Sequence, residues 1–72
     1  MSKKYQAKYQ KLTAKLHSAR QEAGLTQVEA GKLLRKPQAY ISKIERGERR
    51  IDAVELDELA KLYGKPLDYF VK

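Results

Sequence analysis

In this 72-residue chain, the residues whose types and spacing suit chemistry lie between Gln38 and Arg46. At about 100° per residue, a helix here puts Gln38, Ala39, Ser42, Lys43 and Arg46 on one side. Ile41 and Ile44 point the other way, with Tyr40 and Glu45 at the margins. The first set is short, polar to basic, and free of carboxylates. Such groups read base edges: Gln pairs bidentately with adenine, Lys or Arg with guanine, Ser with either, and an Ala methyl touches the thymine methyl. An ordinary solvated face gives the same pattern on an isolated helix; the turn ahead of this one and the basic charge around it favour base reading. Nothing else in the chain converges in the way catalysis requires. His17 is the only histidine and there is no cysteine, so it is expected on the surface or in helix packing. The expectation is a non-enzyme with no cofactor and no metal.

The elements that must position this face are legible from stop and start signals. Gln27 to Arg46 reads as two short helices joined by a tight turn. Thr26 followed by Glu29 is a capping box, each side chain bonding the other residue's backbone N–H. Val28, Ala30, Leu33 and Leu34 then form an inward stripe. Pro37 stops this helix, because the residue before a proline is pushed out of the α region, and it suits the opening of the next. Ahead of the pair, residues 2–23 read as one long helix with Tyr5, Tyr9, Leu12, Leu16, Ala19 and Ala23 as its apolar stripe. Lys4, Lys8, Lys11 and Lys15 run along another face, either touching phosphates or simply solvated. Gly24 ends the helix and Gly47 closes the one after the turn, in the left-handed conformation. Asp52 caps a fourth helix with Glu55 as its partner. Val54, Leu56, Leu59, Ala60, Leu62 and Tyr63 are its apolar positions, and Gly64 ends it. Pro66 opens a last short helix, Leu67 to Val71, with Leu67 and Phe70 as core.

Size and charge set the limits. The chain is a single domain, 1–72, near the lower size for a self-supporting core. Net charge is +7, distributed as +9 over residues 1–50 and −2 over residues 51–72. That asymmetry turns one surface toward a polyanion. Glu55, Asp57 and Glu58 put the fourth helix on the side facing away from it. The N-terminal stretch is too polar for a signal peptide, and no apolar run approaches the roughly 20 residues that cross a membrane. With no cysteine a cytoplasmic location is expected, and base reading would make it a nucleoid-associated one. There is no internal repeat, low-complexity run or Gly-rich phosphate loop.

The stretch LTQVEAGKLLRKPQAYISKIERGERR resembles the helix-turn-helix core of the lambda-repressor-like and Cro-like, or XRE-type, DNA-binding domains. The motifs are Leu-Thr-Gln entering the first helix, Tyr-Ile-Ser-Lys-Ile-Glu in the second, and Arg-Gly-Glu-Arg-Arg after it, with similarity running over roughly residues 12 to 71. The resemblance implies an all-α, five-helix fold with Gln38 to Arg46 as recognition helix in the major groove. It further implies a structural ion pair between Arg20 and Glu45. The function expected is sequence-specific binding of double-stranded DNA by a transcriptional repressor. Gln38, Ala39, Ser42 and Lys43 would read bases. Gln27, Tyr40, Arg46 and Arg50 would meet backbone or groove edge. A homodimer is expected, with Tyr5, Tyr9, Tyr69 and Val71 as candidate contacts. The alternative is an antitoxin-type autoregulator whose main partner is a toxin protein. Two positions depart from the family. Arg35 stands where the inter-helix turn usually has Gly, so the turn is strained or differently shaped. Gly31 stands where the first motif helix usually has Ala.

Overall fold

The computed structural model describes residues 3–72, with side chains from Ala7 onward. Its five helices are α1 Lys3–Glu22, α2 Gln27–Leu33, α3 Gln38–Glu45, α4 Ala53–Tyr63 and α5 Leu67–Val71, and no strand occurs among the described residues. Local chemistry sets their ends. Both capping boxes form, Thr26 with Glu29 on α2 and Asp52 with Glu55 on α4. Gly64, at φ 70°, lets the Lys65 N–H turn back to the Ala60 carbonyl at 2.9 Å.

The core draws on every helix: Leu16 and Ala19 from α1, Ala30 from α2, Tyr40, Ile41 and Ile44 from α3, four residues of α4, and Phe70 of α5. Leu16, Ile41, Ile44 and Leu59 are fully buried. Each contributes roughly 1.5–3 kcal/mol of apolar transfer free energy. α1 packs against α3, α4 and α5, so it is the post on which α3 is mounted.

Several apolar residues expected inside are not. Val28 is 44% exposed and Leu33 61% exposed. The reason is that α2 buries its two smallest residues, Ala30 and Gly31, the latter against the turn into α3, which leaves the larger side chains on the outer flank. Val54 and Leu67 sit in the first turns of α4 and α5, before those helices come under the core, and both are exposed. Ala23 lies past the end of α1 and is exposed too. The side chains of Lys4 and Tyr5, and residue 2 as the helix start, lie outside the described residues.

The turn between α2 and α3 resolves both departures from the family pattern. Arg35 adopts φ 58°, the left-handed region, so it takes the conformation glycine would take at a cost of roughly 1–2 kcal/mol. Gly31 is buried, and a Cβ built there would lie 2.8 Å from the Lys36 carbonyl oxygen. The Lys36 N–H meanwhile donates to the Gly31 carbonyl at 2.8 Å, closing the turn. Pro37 then stands at the N-cap of α3 rather than inside its first turn.

Candidate nucleic-acid interface

A buried ion pair fixes the far end of α3. Arg20 is 7% exposed, and its Nε and Nη2 donate to the two Glu45 oxygens at 2.7 and 3.1 Å. Its Nη1 donates to the Leu25 carbonyl at 2.7 Å, so one guanidinium ties together α1, the α1–α2 turn and α3. The hydrogen bond to Glu45 holds the Arg20 pKa above its ordinary value. Burial pushes the Glu45 carboxyl up, but hydrogen bonds from Arg20, His17 and Gln27 outweigh it and hold it below the usual carboxylate range. His17 Nδ1 lies 2.8 Å from Glu45 Oε1 while about half of its side chain stays exposed, so it combines the surface and helix-packing places expected of it.

From Glu45 the polar contacts run outward. Gln27 Nε2 donates to Glu45 Oε1 at 3.2 Å, and Gln27 Oε1 accepts from Gln38 Nε2 at 3.3 Å. Gln27, at the start of α2, therefore bridges the buried pair to the first residue of the polar face. On that face Gln38, Ala39 and Lys43 are exposed and Ser42 is half-buried, while Ile41 and Ile44 are buried opposite. Arg46 follows, exposed and paired with Glu48 at 3.3 Å, and Arg50 is exposed in the next loop.

Tyr40 is the main correction among the expected contact residues. It is 8% exposed and belongs to the core, so its side chain is not available for the backbone or groove-edge contact expected of it. Burial, then the nearby Glu55 carboxylate, raises its pKa to about 12. The Arg49 guanidinium lies 4.7 Å from its ring centroid. Arg49 also forks onto Glu55, with bonds of 3.1 and 2.9 Å. That fork, with a backbone bond from Asp52, holds Glu55 at a pKa of about 2. Sequence reasoning misses the Tyr40–Arg49–Glu55 assembly, because the capping role of Glu55 already accounts for that residue.

The candidate dimer residues divide. The Tyr9 hydroxyl donates to the Arg49 carbonyl at 2.9 Å and accepts from the Ile51 N–H at 3.1 Å, so this tyrosine clamps its own chain. Tyr69 is half-buried, edge-on to Phe70 at 4.9 Å between centroids, with Lys15 and Lys65 ammonium groups over its ring. Val71 is 63% exposed. Tyr5 falls outside the described side chains.

Two short helices set by a tight turn, the second with its apolar side in the core and its polar side outside, define a helix-turn-helix protein. The helix-turn-helix family model matches residues 16–70, and the chain belongs to that family, in its lambda-repressor-like, XRE-type form. It is accordingly a DNA-binding protein of the transcription-regulator class. No curated protein and no solved structure matches the chain significantly. Among the described residues no helix is long and apolar enough to cross a membrane, and no cluster of His, Cys, Asp or Glu could hold a metal ion.

Proposed function

We propose that the protein is a sequence-specific repressor that reads duplex DNA through the major groove with α3. One observation carries the reading: the polar face of α3 stands outside the fold while its other face is locked into the core. Gln38, Ala39, Ser42 and Lys43 meet base edges, and Gln38 is held in place by Gln27. Gln27, Arg46 and Arg50 serve the phosphate backbone or groove edge. Occupancy of the operator blocks other proteins from that DNA, which is the regulatory effect proposed. One module touches few base pairs, so the working form is a homodimer on half-sites about 34 Å apart. The outer side of α5, with Val71 bare and Leu67 37% exposed, is the surface left for the second copy.

The test is a duplex selected from a random pool by the wild-type chain, compared with a scrambled duplex. A Gln38→Ala, Lys43→Ala variant should lose at least tenfold of the wild-type preference, since each bidentate pair contributes about 1–3 kcal/mol of discrimination. Full preference in that variant would remove the base-reading assignment.

A further inference from the structure

A shallow groove runs between α1, the turn after α3 and the end of α5. Its walls carry Lys8, Lys11 and Lys15 from α1, Arg46 and Arg50 from beside the recognition helix, and Lys72, with no side-chain carboxylate among the lining residues. Lys8, Lys11 and Lys15 recur at steps of three and four, so they form one ridge. That ridge spans about 10 Å of helix. It is roughly the axial rise of three phosphates on one strand. The Tyr9 bonds to Arg49 and Ile51 fix the ridge against the loop that leaves α3. The Arg46–Glu48 pair joins two exposed groups and is worth at most about 1 kcal/mol, so it gives way to a stronger anion.

We propose that this ridge is a second DNA contact, which grips the sugar–phosphate backbone beside the base pairs read by α3. The inference rests on the DNA-reading role of α3 and extends it to residues the family does not cover, because the family match begins at residue 16. Continuity with Arg46 selects duplex DNA as occupant. Against the lysine ridge a second copy of the chain would bring the same cations and be repelled, so the dimer contact proposed on α5 meets this groove only at Val71. The contact is blind to sequence, since phosphates carry no base identity. It lengthens the footprint and steepens the salt dependence.

The experiment measures affinity of the full-length chain for the selected and the scrambled duplex over a salt series. The variants are Lys8→Gln, Lys11→Gln and the charge-retaining Lys8→Arg, Lys11→Arg, with thermal unfolding as a check on the fold. In the Gln variant, affinity should fall about tenfold on both duplexes alike. The slope of log affinity against log salt should shrink by about 1–2, at about 0.9 for each phosphate no longer neutralised. The preference ratio should stay at the wild-type value, and the Arg variant should restore the slope. Unchanged slope and affinity in the Gln variant would overturn the proposal, more so if binding to poly-glutamate dropped instead, which would mark the groove as a site for acidic protein. The two readings fail separately. Preference lost only in the Gln38, Lys43 variant, with no change of slope in the lysine variant, sinks the ridge and leaves base reading. A slope reduced only in the lysine variant, with preference intact in both, leaves the ridge and sinks base reading.

Discussion

Gly31→Ala should destabilise the protein, although helix propensity and the family's usual residue both argue the reverse. Replacing an internal helical Gly by Ala ordinarily stabilises by roughly 0.8–1 kcal/mol. Here the new Cβ would sit 2.8 Å from the Lys36 carbonyl oxygen and 3.4 Å from the Pro37 carbonyl carbon and oxygen. These are backbone atoms, so no rotamer change relieves the clash. Overpacking of this kind costs about 1–3 kcal/mol. Moving the turn away also stretches the 2.8 Å bond from Lys36 N–H to the Gly31 carbonyl. The net expectation is a loss of about 1–2 kcal/mol. For a domain of this size that lowers Tm by roughly 5–15 °C. Thermal unfolding by circular dichroism and a urea midpoint at constant slope give the number. Because the turn sets the angle of α3, affinity for the selected duplex should fall as well. A Tm equal to or above wild type would refute the close approach of α2 to the turn.

Two further outcomes follow from the same geometry. Arg35→Gly relieves a left-handed residue at φ 58° that costs roughly 1–2 kcal/mol, against the roughly 0.5–1 kcal/mol of extra chain entropy glycine gives up on folding. A gain of up to about 1 kcal/mol should appear as a higher urea midpoint, and a lower midpoint would mean the exposed Arg35 side chain has a partner of its own. The pH dependence should fall off at both ends. Tyr40 and Tyr63 are raised to about 12 by burial, above the roughly 10 of an unfolded tyrosine. Their stabilisation is complete below about pH 10 and disappears as pH rises to 12. Glu55 is lowered to about 2, chiefly by its bonds from Arg49, so its stabilisation holds above about pH 4.5 and is lost as pH falls toward 2. A Tm that stays level from pH 10 to 12 would contradict the burial of both rings.

What could be read from the chain alone was what depends on near neighbours. Thr26 with Glu29, Asp52 with Glu55, and the left-handed glycines act within one turn of helix, and each stands where its local chemistry puts it. The inward pair Ile41 and Ile44 follows from helical spacing. Illegible were features decided by a distant partner. Val28 and Leu33 fit an apolar stripe as well as Ala30 does, and only the close approach of Gly31 to the Lys36–Pro37 turn decides that the small residues face inward. Tyr40 stands at a margin of the helical wheel; Arg49 and Glu55, brought together by the α3–α4 loop, close over it. Tyr9 looks available to a second subunit, while its partners lie at Arg49 and Ile51, some 40 residues along the chain.

These distant contacts hold so short a helix in place. Eight residues form no stable helix in isolation. At its start, α3 is held by the Gly31 turn, where a backbone bond and close packing leave no slack. At its end, Glu45 is pinned by Arg20, with His17 and Gln27 alongside. Between them, Tyr40 is wedged under Arg49. The Gln27 amide carries the constraint from the buried pair to Gln38 on the outer face. Side chains ordered before binding lose less entropy on meeting a ligand, about 0.5–1.5 kcal/mol for each mobile one. On the proposed reading, the polar network under α3 serves affinity by ordering Gln38 from Glu45 through Gln27 before DNA is met.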